Sequence, residues 1–217
     1  CKETQYKGDF HHITEVNNQG MPVVMFDRVT NDILCDKVII DDKAAAYEAV
    51  QSLIDNGRKK IALVTTVDYV SVGKLRTDGY EKALLDNGLP FNEDLIIKIE
   101  DVETCEITIS QLLHERAFDA VFAVNELFAV TIIKTANKMG LKVPEDLAVI
   151  AFTDGIISKY STPTITTVSQ SGEKMGNKAA KMLIERLEAE EDDDEEHTEN
   201  YTTEVIETHL IKRESTD

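Results

Sequence analysis

The stretch KVIIDDKAAAYEAVQSLIDNGRKKIALVT (residues 37–65) carries the pattern on which the fold prediction rests. Two apolar runs, Lys37–Asp41 and Ile61–Thr65, flank a segment whose apolar residues recur at helical spacing. Gly57 stands at the end of that segment, where helices commonly stop. Both runs are apolar throughout instead of alternating, which is typical of strands covered on both faces. The stretch therefore predicts a β-α-β unit in a parallel, helix-covered sheet.

The same pattern repeats along most of the chain. Further strands are predicted at Pro22–Phe26, Leu95–Ile99, Ala120–Val124 and Leu147–Phe152. Further helices are predicted at about Phe10–Gln19, Val72–Asn87, Thr104–Glu115 and Ser171–Glu188, together with one that Asn125 caps and that ends at Gly140. Thr202–Glu214 is expected to form one strand or a pair of short ones. The predicted class is α/β with mostly parallel sheets.

The net charge of −18 limits the partners of the chain. Seven of the negative charges lie in one block, Glu190–Glu196, which we interpret as a solvated loop. A surface this acidic repels phosphate backbones and anionic membranes, so we expect the chain by itself to bind neither. No apolar run reaches the ~18 residues of a membrane span, and the polar first residues predict no signal peptide.

Residue sets for catalysis or metal binding are missing from the sequence. It contains no GxSxG, GxxxxGK[ST] or GxGxxG motif. The adjacent His11 and His12 would point about 100° apart on a helix, so they cannot hold one metal ion from one face. Cys1, Cys35 and Cys105 are far apart and form no CxxC pair, which indicates free thiols in a reducing cytoplasm. The sequence predicts no enzyme, no cofactor and no metal site.

Polar residues follow the carboxyl ends of the predicted strands. They are Asp27 and Arg28, Asp41 and Asp42, Thr66 to Ser71, Asn125 and Glu126, and Thr153 and Asp154, with Arg76 in the helix after the third strand. Open α/β sheets bind ligands at this edge. Carboxylates, amides and an arginine fork suit a polyhydroxyl or other polar small molecule. Single residues have alternative roles: Asp42 and Asn125 as helix caps, Asp41 as the partner of a nearby cation, and Arg76 as a helix-surface residue.

Six segments, in this order, resemble the effector-binding core of lac-repressor-type (LacI/GalR) transcription regulators. They are GMPVVMFDRV (20–29), the stretch 37–65, KLRTDGYEKALLDNGL (74–89), FDAVFAVNELFAVTIIKTANKMGLKVPEDLAVIAFTD (118–154), TPTITTVSQSGEKMGNKAAKMLIERLE (162–188) and THLIKREST (208–216). Each segment alone is weak, but six in the correct order are specific.

The resemblance implies the fold of periplasmic sugar-binding proteins. In that fold two Rossmann-like α/β subdomains, with mostly parallel sheets, are joined by three crossovers, and a small molecule binds between them. The N-terminal subdomain, which we expect to be incomplete here, would comprise residues 1–41 and 171–188. The C-terminal, effector-binding subdomain would comprise residues 42–169 and 189–217.

The resemblance also implies a set of effector-binding residues. It consists of Arg76, Asn125, Asp154, Thr153, Asp41, Asp68, Tyr69 and Ser71. Arg76 matches the family's effector-binding arginine, directly before its Gly-aromatic signature. The family often places an effector-binding aspartate where this chain has Thr153, with Asp154 one position later. Either of these two residues makes the contact, or the ligand differs in kind.

For function, the resemblance implies the ligand-sensing and dimerisation domain of a cytoplasmic transcriptional regulator. Its partners would be a small polar effector such as a sugar or sugar derivative, a second copy of the chain, and operator DNA. A helix-turn-helix absent from this chain would bind the DNA. The alternative is the solute-binding protein of a sugar transporter, which has the same fold and requires a secretory signal on the parent. The ending LIKREST and the unpaired cysteines favour the regulator.

Overall fold

The structure of the chain is a computed structural model, which describes residues 8–66, 71–100, 104–115, 118–191 and 200–217. The helices are α1 (His11–Asn18), α2 (Asp42–Asp55), α3 (Ser71–Asp86), α4 (Cys105–Glu115), α5 (Glu126–Lys138), α6 (Ile156–Tyr160) and α7 (Gly172–Glu191). The strands are β1 (Val24–Phe26), β2 (Asp36–Ile40), β3 (Ile61–Thr66), β4 (Ile96–Ile99), β5 (Ala120–Ala123), β6 (Ala148–Phe152), β7 (Thr166–Ser169), β8 (Thr203–Ile206) and β9 (His209–Ile211). None of the described helices is both long and apolar enough to cross a membrane.

Two compact units divide the chain. The first comprises Cys1–Asp41 and Ser171–Glu207, and the second comprises Asp42–Gln170 and Thr208–Asp217. The sequence placed the last boundary after Glu188, whereas here it lies after Glu207. The reason is that β8 pairs in parallel with β2 and so extends the sheet of the first unit.

The first unit is a three-stranded parallel sheet, in the order β1-β2-β8, against which α7 packs. Asp36, at the start of β2, is only 3% exposed. Its carboxylate accepts hydrogen bonds from Arg186 Nε at 2.6 Å and from the backbone nitrogen of Thr202 at 2.7 Å. One carboxylate thus joins β2, α7 and the segment leading into β8. Leu187, which the sequence placed on the apolar stripe of this helix, is 47% exposed, whereas Met175 and Met182 are buried.

The second unit contains a six-stranded sheet in the order β4-β3-β5-β6-β7-β9. All neighbouring strands are parallel except β7 and β9, which run antiparallel. Every residue of β5 and β6 is buried, as expected for apolar strands covered on both faces. The predicted class, α/β with mostly parallel sheets, is confirmed. The short helix α6 was not predicted, because five residues show no helical period.

Helices α2 and α3 pack closely because α3 carries Gly79 at the contact. A Cβ atom at Gly79 would overlap the backbone oxygen of Lys43 and lie 2.8 Å from the Cβ atom of Ala46. The next residue, Tyr80, is fully buried, and its hydroxyl donates a hydrogen bond to the carbonyl oxygen of Ile61 at 2.8 Å. These two residues fix α3 against α2 and β3, and thereby set the position of the start of α3.

The last residues of the chain hold β6 and β7 together. Ser215 donates from Oγ to the carbonyl oxygen of Val149 at 2.5 Å and accepts from the backbone nitrogen of Thr166 at 2.9 Å. Arg213 donates to the carbonyl oxygen of Ile165 at 2.7 Å. These side chains supply hydrogen bonds that the short strand β9 does not, and they fix the amino ends of β6 and β7.

We expect Gly79→Ala to lower the free energy of unfolding by about 1–3 kcal/mol, because the added methyl group has no space between α2 and α3. Gly176 is the matched control, since a Cβ atom there meets nothing within 4 Å. Gly176→Ala should raise the free energy of unfolding by about 0.5–1 kcal/mol. Urea denaturation measures both values, and equal effects of the two variants would contradict the close packing at Gly79.

We expect Asp36→Asn to lower the free energy of unfolding at pH 7 by roughly 2–4 kcal/mol, because Arg186 loses its buried partner. Burial alone would raise the pKa of Asp36, but hydrogen bonds from Arg186 and Thr202 and the charge of Arg186 bring it below its ordinary value of 3.8. The stabilisation is therefore present above pH 3.8 and is lost as the pH falls through the lowered pKa.

Chemical denaturation of the wild type and Asp36→Asn between pH 7 and pH 3 tests this dependence. The difference between the two proteins should shrink below pH 3.8. Asp78→Asn, a half-exposed site on α3, serves as the control and should change little at any pH. A difference between wild type and Asp36→Asn that stays constant down to pH 3 would contradict the assignment.

Candidate functional site

Arg76 occupies the centre of the carboxyl edge of the six-stranded sheet. Its side chain is buried, with 6% of the residue exposed. Nε donates to Asp42 Oδ1 at 2.8 Å, and Nη1 donates to the carbonyl oxygen of Val124 at 2.8 Å. The guanidinium carbon lies 3.7 Å from the centre of the Phe152 ring. Arg76 therefore joins α2, the end of β5 and the end of β6, and it is not a helix-surface residue.

The carboxylate beside Arg76 belongs to Asp42 and not to Asp41. Asp42 is the first residue of α2 and is 4% exposed, so its charge is buried together with that of Arg76. Asp41 is exposed and is the last residue of the first unit's N-terminal segment. A role for Asp41 in effector binding stays a prediction.

Asn125 follows β5 and caps α5, as the sequence indicated. Its Oδ1 accepts a hydrogen bond from the backbone nitrogen of Phe128 at 2.8 Å. The amide nitrogen of this half-buried side chain has no hydrogen-bond partner among the described residues. The cap therefore uses the oxygen of Asn125 and leaves its two N–H groups available to a ligand.

Thr153 follows β6 in a left-handed conformation, with φ of 75°. Such a conformation is rare for a β-branched residue and costs on the order of 1–3 kcal/mol. Its backbone nitrogen donates to the carbonyl oxygen of Val168, and its hydroxyl donates to Gln170 Oε1 at 2.7 Å. Backbone strain of this size concentrates at functional sites. The position where the family often has an aspartate is thus a strained threonine paired with a glutamine.

Asp154 forms ion pairs with two cationic side chains of the second unit. Its Oδ1 accepts from Arg213 at 2.6 Å and from Thr167 Oγ1 at 2.9 Å, and its Oδ2 lies 3.3 Å from Lys159 Nζ. Burial alone would raise its pKa, but the bonds from Arg213 and Thr167 and the nearby positive charges lower the pKa below its ordinary value. Asp154 holds the C-terminal segment at the edge of the sheet, which favours Thr153 over Asp154 as the ligand contact.

The remaining predicted residues, apart from Asp41, directly precede or begin α3 in the sequence. Asp68 and Tyr69 fall outside the described residues. Ser71 is the first residue of α3, and its side chain is likewise outside the described set. The structure therefore brings together Arg76, Asn125, Thr153 and Asp154 at the ends of the neighbouring strands β5 and β6.

Three residues at this edge were missed by reasoning from the sequence: Phe152, Gln170 and Arg213. Phe152 looked like an ordinary strand residue, and nothing in its pattern signals that an arginine stacks on its ring. Gln170 and Arg213 are distant in sequence from the residues that they contact, with separations of 17 and 59 positions. A polar residue directly after β7 was a signal for Gln170, because it obeys the same strand-end rule as Asn125 and Thr153.

Two hydroxyl groups at the end of β3 are buried without a partner. Neither Thr65 Oγ1 nor Thr66 Oγ1 has a hydrogen-bond partner among the described residues. Both lie against α3, where a Cβ atom at Gly73 would be 2.5 Å from Thr66 Oγ1. Buried hydroxyls usually have a hydrogen-bond partner, so Thr65 and Thr66 are exceptions among the described residues.

Taken together, the described residues of this edge offer hydrogen-bonding groups. The described residues contain no group of three or more His, Cys, Asp or Glu side chains that could hold a metal ion. The amide of Asn125 and the Thr153–Gln170 pair lie at the ends of adjacent strands. This chemistry suits binding of a polar small molecule.

Comparison with known proteins agrees with this arrangement. Residues 50–216 match the family model of the periplasmic binding protein-like domain. The transcriptional regulator CelR of Thermobifida fusca is 32% identical over 82% of this chain and 51% of its own length. The ribose operon repressor of Haemophilus influenzae is 28% identical over 99% of this chain and 62% of its own length. The chain thus spans about half to three fifths of these relatives.

A solved structure supports the same conclusion at the level of the fold. The structure described as a CelR–cellobiose complex superposes with a TM-score of 0.82 at 29% identity, covering 92% of this chain and 60% of that protein. The chain therefore belongs to the periplasmic binding protein-like domain family and is the effector-binding core of a LacI-type transcriptional regulator.

Proposed function

We propose that this chain is the sensing domain of a DNA-binding transcriptional regulator. It binds a small polar molecule of the sugar class. The observation that carries the proposal is the convergence of Arg76, Asn125 and Thr153 at the carboxyl ends of β5 and β6 in the second unit. Related proteins support the sugar class, because one is described in complex with cellobiose and another as a ribose operon repressor. Those relatives are regulators, which favours regulation over the transporter alternative and over an enzyme.

Within this proposal, Asn125, Thr153 and Arg76 form the effector site. Asp154 supports it through Arg213, and Asp41, Asp68, Tyr69 and Ser71 complete it. Residues 42–170 with 208–217 form the effector-binding subdomain. Operator DNA is bound by a part of the parent protein outside this acidic chain, in the cytoplasm.

Regulation follows from linkage. An effector that binds one conformation of the regulator more tightly than another shifts the equilibrium toward that conformation. The affinity for operator DNA then changes by the same factor, typically corresponding to about 1–3 kcal/mol. The effector therefore needs no contact with the DNA.

A thermal-shift screen of this chain against mono- and disaccharides tests the proposal, and Asn125→Ser identifies the site. Serine keeps the helix cap and removes the amide donors, so the melting temperature without ligand should change by no more than about 2 °C. The affinity for a sugar that binds should fall by roughly two- to tenfold, the value of one lost hydrogen bond.

Asn92→Ser is the matched control, because Asn92 also caps a turn by accepting a hydrogen bond from the backbone nitrogen of Asp94. This variant should bind sugars as the wild type does. A screen without any stabilising sugar would contradict the proposed function. A sugar that binds Asn125→Ser with unchanged affinity would contradict the proposed site.

We also propose that the chain forms homodimers. The short helix α6 presents Ile156 and Tyr160 at 72% and 82% exposure, an apolar surface that self-association would bury. Sedimentation equilibrium should give a species of twice 24.3 kDa at micromolar concentration. A Tyr160→Lys variant should shift the equilibrium toward monomer. A wild-type chain that stays monomeric at 100 times higher concentration would contradict dimerisation.

A further inference from the structure

Helix α6 has no capping side chain of its own. It is only five residues long, and its N-cap residue is Gly155, which has no side chain that could accept a hydrogen bond. The first N–H groups of a helix have no acceptor inside the helix, and the side chain of the N-cap residue usually provides one. Isolated helices of fewer than about 12 residues are also marginal in water. The position of α6 must therefore be fixed from another part of the chain.

Glu126, the first residue of α5, provides the missing acceptor. Its Oε1 accepts hydrogen bonds from the backbone nitrogen of Gly155 at 2.8 Å and from that of Ser158 at 2.9 Å. The same oxygen accepts from Ser158 Oγ at 2.7 Å. Ser158 is the third residue of α6, and its N–H group is one that an N-cap side chain normally binds. Glu126 therefore caps α6 although 29 positions separate it from Gly155.

Ser158 depends on this contact because it is fully buried, with 0% of the residue exposed. Its carbonyl oxygen accepts from the backbone nitrogen of Ile165 at 2.9 Å, whereas its N–H group and its hydroxyl both donate to Glu126. A buried donor that loses its acceptor destabilises the conformation that buries it. Without the carboxylate of Glu126, α6 would have to move until water reached Ser158.

The approach of Glu126 also explains the glycine at position 155. A Cβ atom at Gly155 would overlap Oε2 of Glu126. The backbone of Gly155, with φ of −96°, has a conformation that any residue can adopt. The close contact with Glu126, and not the backbone conformation, therefore requires glycine at this position.

The side chains that α6 presents to solvent are apolar. Ile156, Ile157 and Tyr160 are 72%, 38% and 82% exposed. Residues four positions apart lie on the same face of a helix, so Ile156 and Tyr160 form one surface only while α6 is helical. The shape of this surface therefore depends on the bonds that Glu126 makes with Gly155 and Ser158.

We infer that Glu126 is a positioning residue for self-association, which holds α6 in the conformation that a second copy of the chain binds. The inference rests on the proposed homodimer, because it concerns the same α6 surface. Glu126 acts through Gly155 and Ser158 and needs no contact with the second copy.

Sedimentation equilibrium of the wild-type chain and of Glu126→Ala tests the inference. A symmetric dimer uses the same surface of both copies, so the loss of the cap counts twice. The dissociation constant of the homodimer should rise at least about tenfold. Hydrogen exchange at the amides of Gly155 and Ser158 should become at least about tenfold faster, because both lose their acceptor. Glu126→Gln keeps an oxygen acceptor and should stay within about threefold of the wild type in both measurements.

Glu173→Ala is the matched control, because Glu173 is also an acidic residue in the first turn of a helix, α7, and is exposed. It should leave the dissociation constant unchanged. A dissociation constant that is also unchanged in Glu126→Ala overturns this inference alone, even if amide exchange becomes faster. A wild-type chain that stays monomeric overturns both the inference and the proposed homodimer. Neither result affects the proposed sensing of a sugar, which the thermal-shift screen tests separately.

A second variant disturbs the same contact from the other side. Gly155→Ala keeps Glu126 but displaces its carboxylate, and it should weaken the dimer about as much as Glu126→Ala. In the Glu126→Ala background the added methyl group has space, so Gly155→Ala should change the dissociation constant less than about twofold further. Gly172→Ala, at the first residue of α7, is the control, because a Cβ atom there meets nothing within 4 Å. Full additivity of Glu126→Ala and Gly155→Ala would overturn the assignment of Glu126.

Discussion

The buried pair of Arg76 and Asp42 is the interaction on which the carboxyl edge of the second unit depends. Arg76, on α3, reaches α2, the backbone after β5 and the ring at the end of β6, so three other parts of the chain meet at its guanidinium. Arg76, Gly79 and Tyr80 act as one set. Gly79 lets α3 approach α2, and the Tyr80 hydroxyl donates a hydrogen bond to the start of β3. This packing places the side chain of Arg76 at the ends of β5 and β6. An arginine at this depth is stable only because its charge and its donors are satisfied.

A second constraint comes from the end of the chain. Arg213 and Ser215 bond to backbone and side-chain groups of β6 and β7, and Arg213 also holds Asp154. The two arginines have different tasks: Arg76 fixes β5 to β6, and Arg213 fixes β6 to β7. With the strand ends fixed from both sides, the side chains that follow them are pre-organised, which lowers the entropy lost on binding a ligand.

Much of this arrangement could be predicted from the sequence. Apolar runs that do not alternate, helices that end at glycine and polar residues after strands together predict a parallel α/β sheet that binds a ligand at its carboxyl edge. The capping role of Asn125 was also predicted.

The hydrogen-bond and ion-pair partners of the site residues were not predictable from the sequence. Whether Asp41 or Asp42 meets Arg76 depends on where α2 begins, and a shift of one residue turns a side chain by about 100°. The bonds of Asp154 to Arg213 and of Thr153 to Gln170 join residues far apart in sequence, so no local pattern reports them. The assignment of β8 to the first unit likewise depends on pairing with β2.

The order in which the elements occur along the chain has a consequence for biosynthesis. Strands β3 to β7 are complete by Ser169, yet the antiparallel strand β9 and the bonds of Arg213 and Ser215 come from residues 208–217. Domains generally fold as units while the chain is still being made, beginning from the N-terminal side. The second unit cannot do so here, because residues of the first unit are synthesised between β7 and β9. A nascent chain that already contains β3 to β7 still lacks Arg213, which donates a hydrogen bond to Asp154. The six-stranded sheet and the bond that holds Asp154 are therefore completed late in synthesis, after residues 208–217 have been translated.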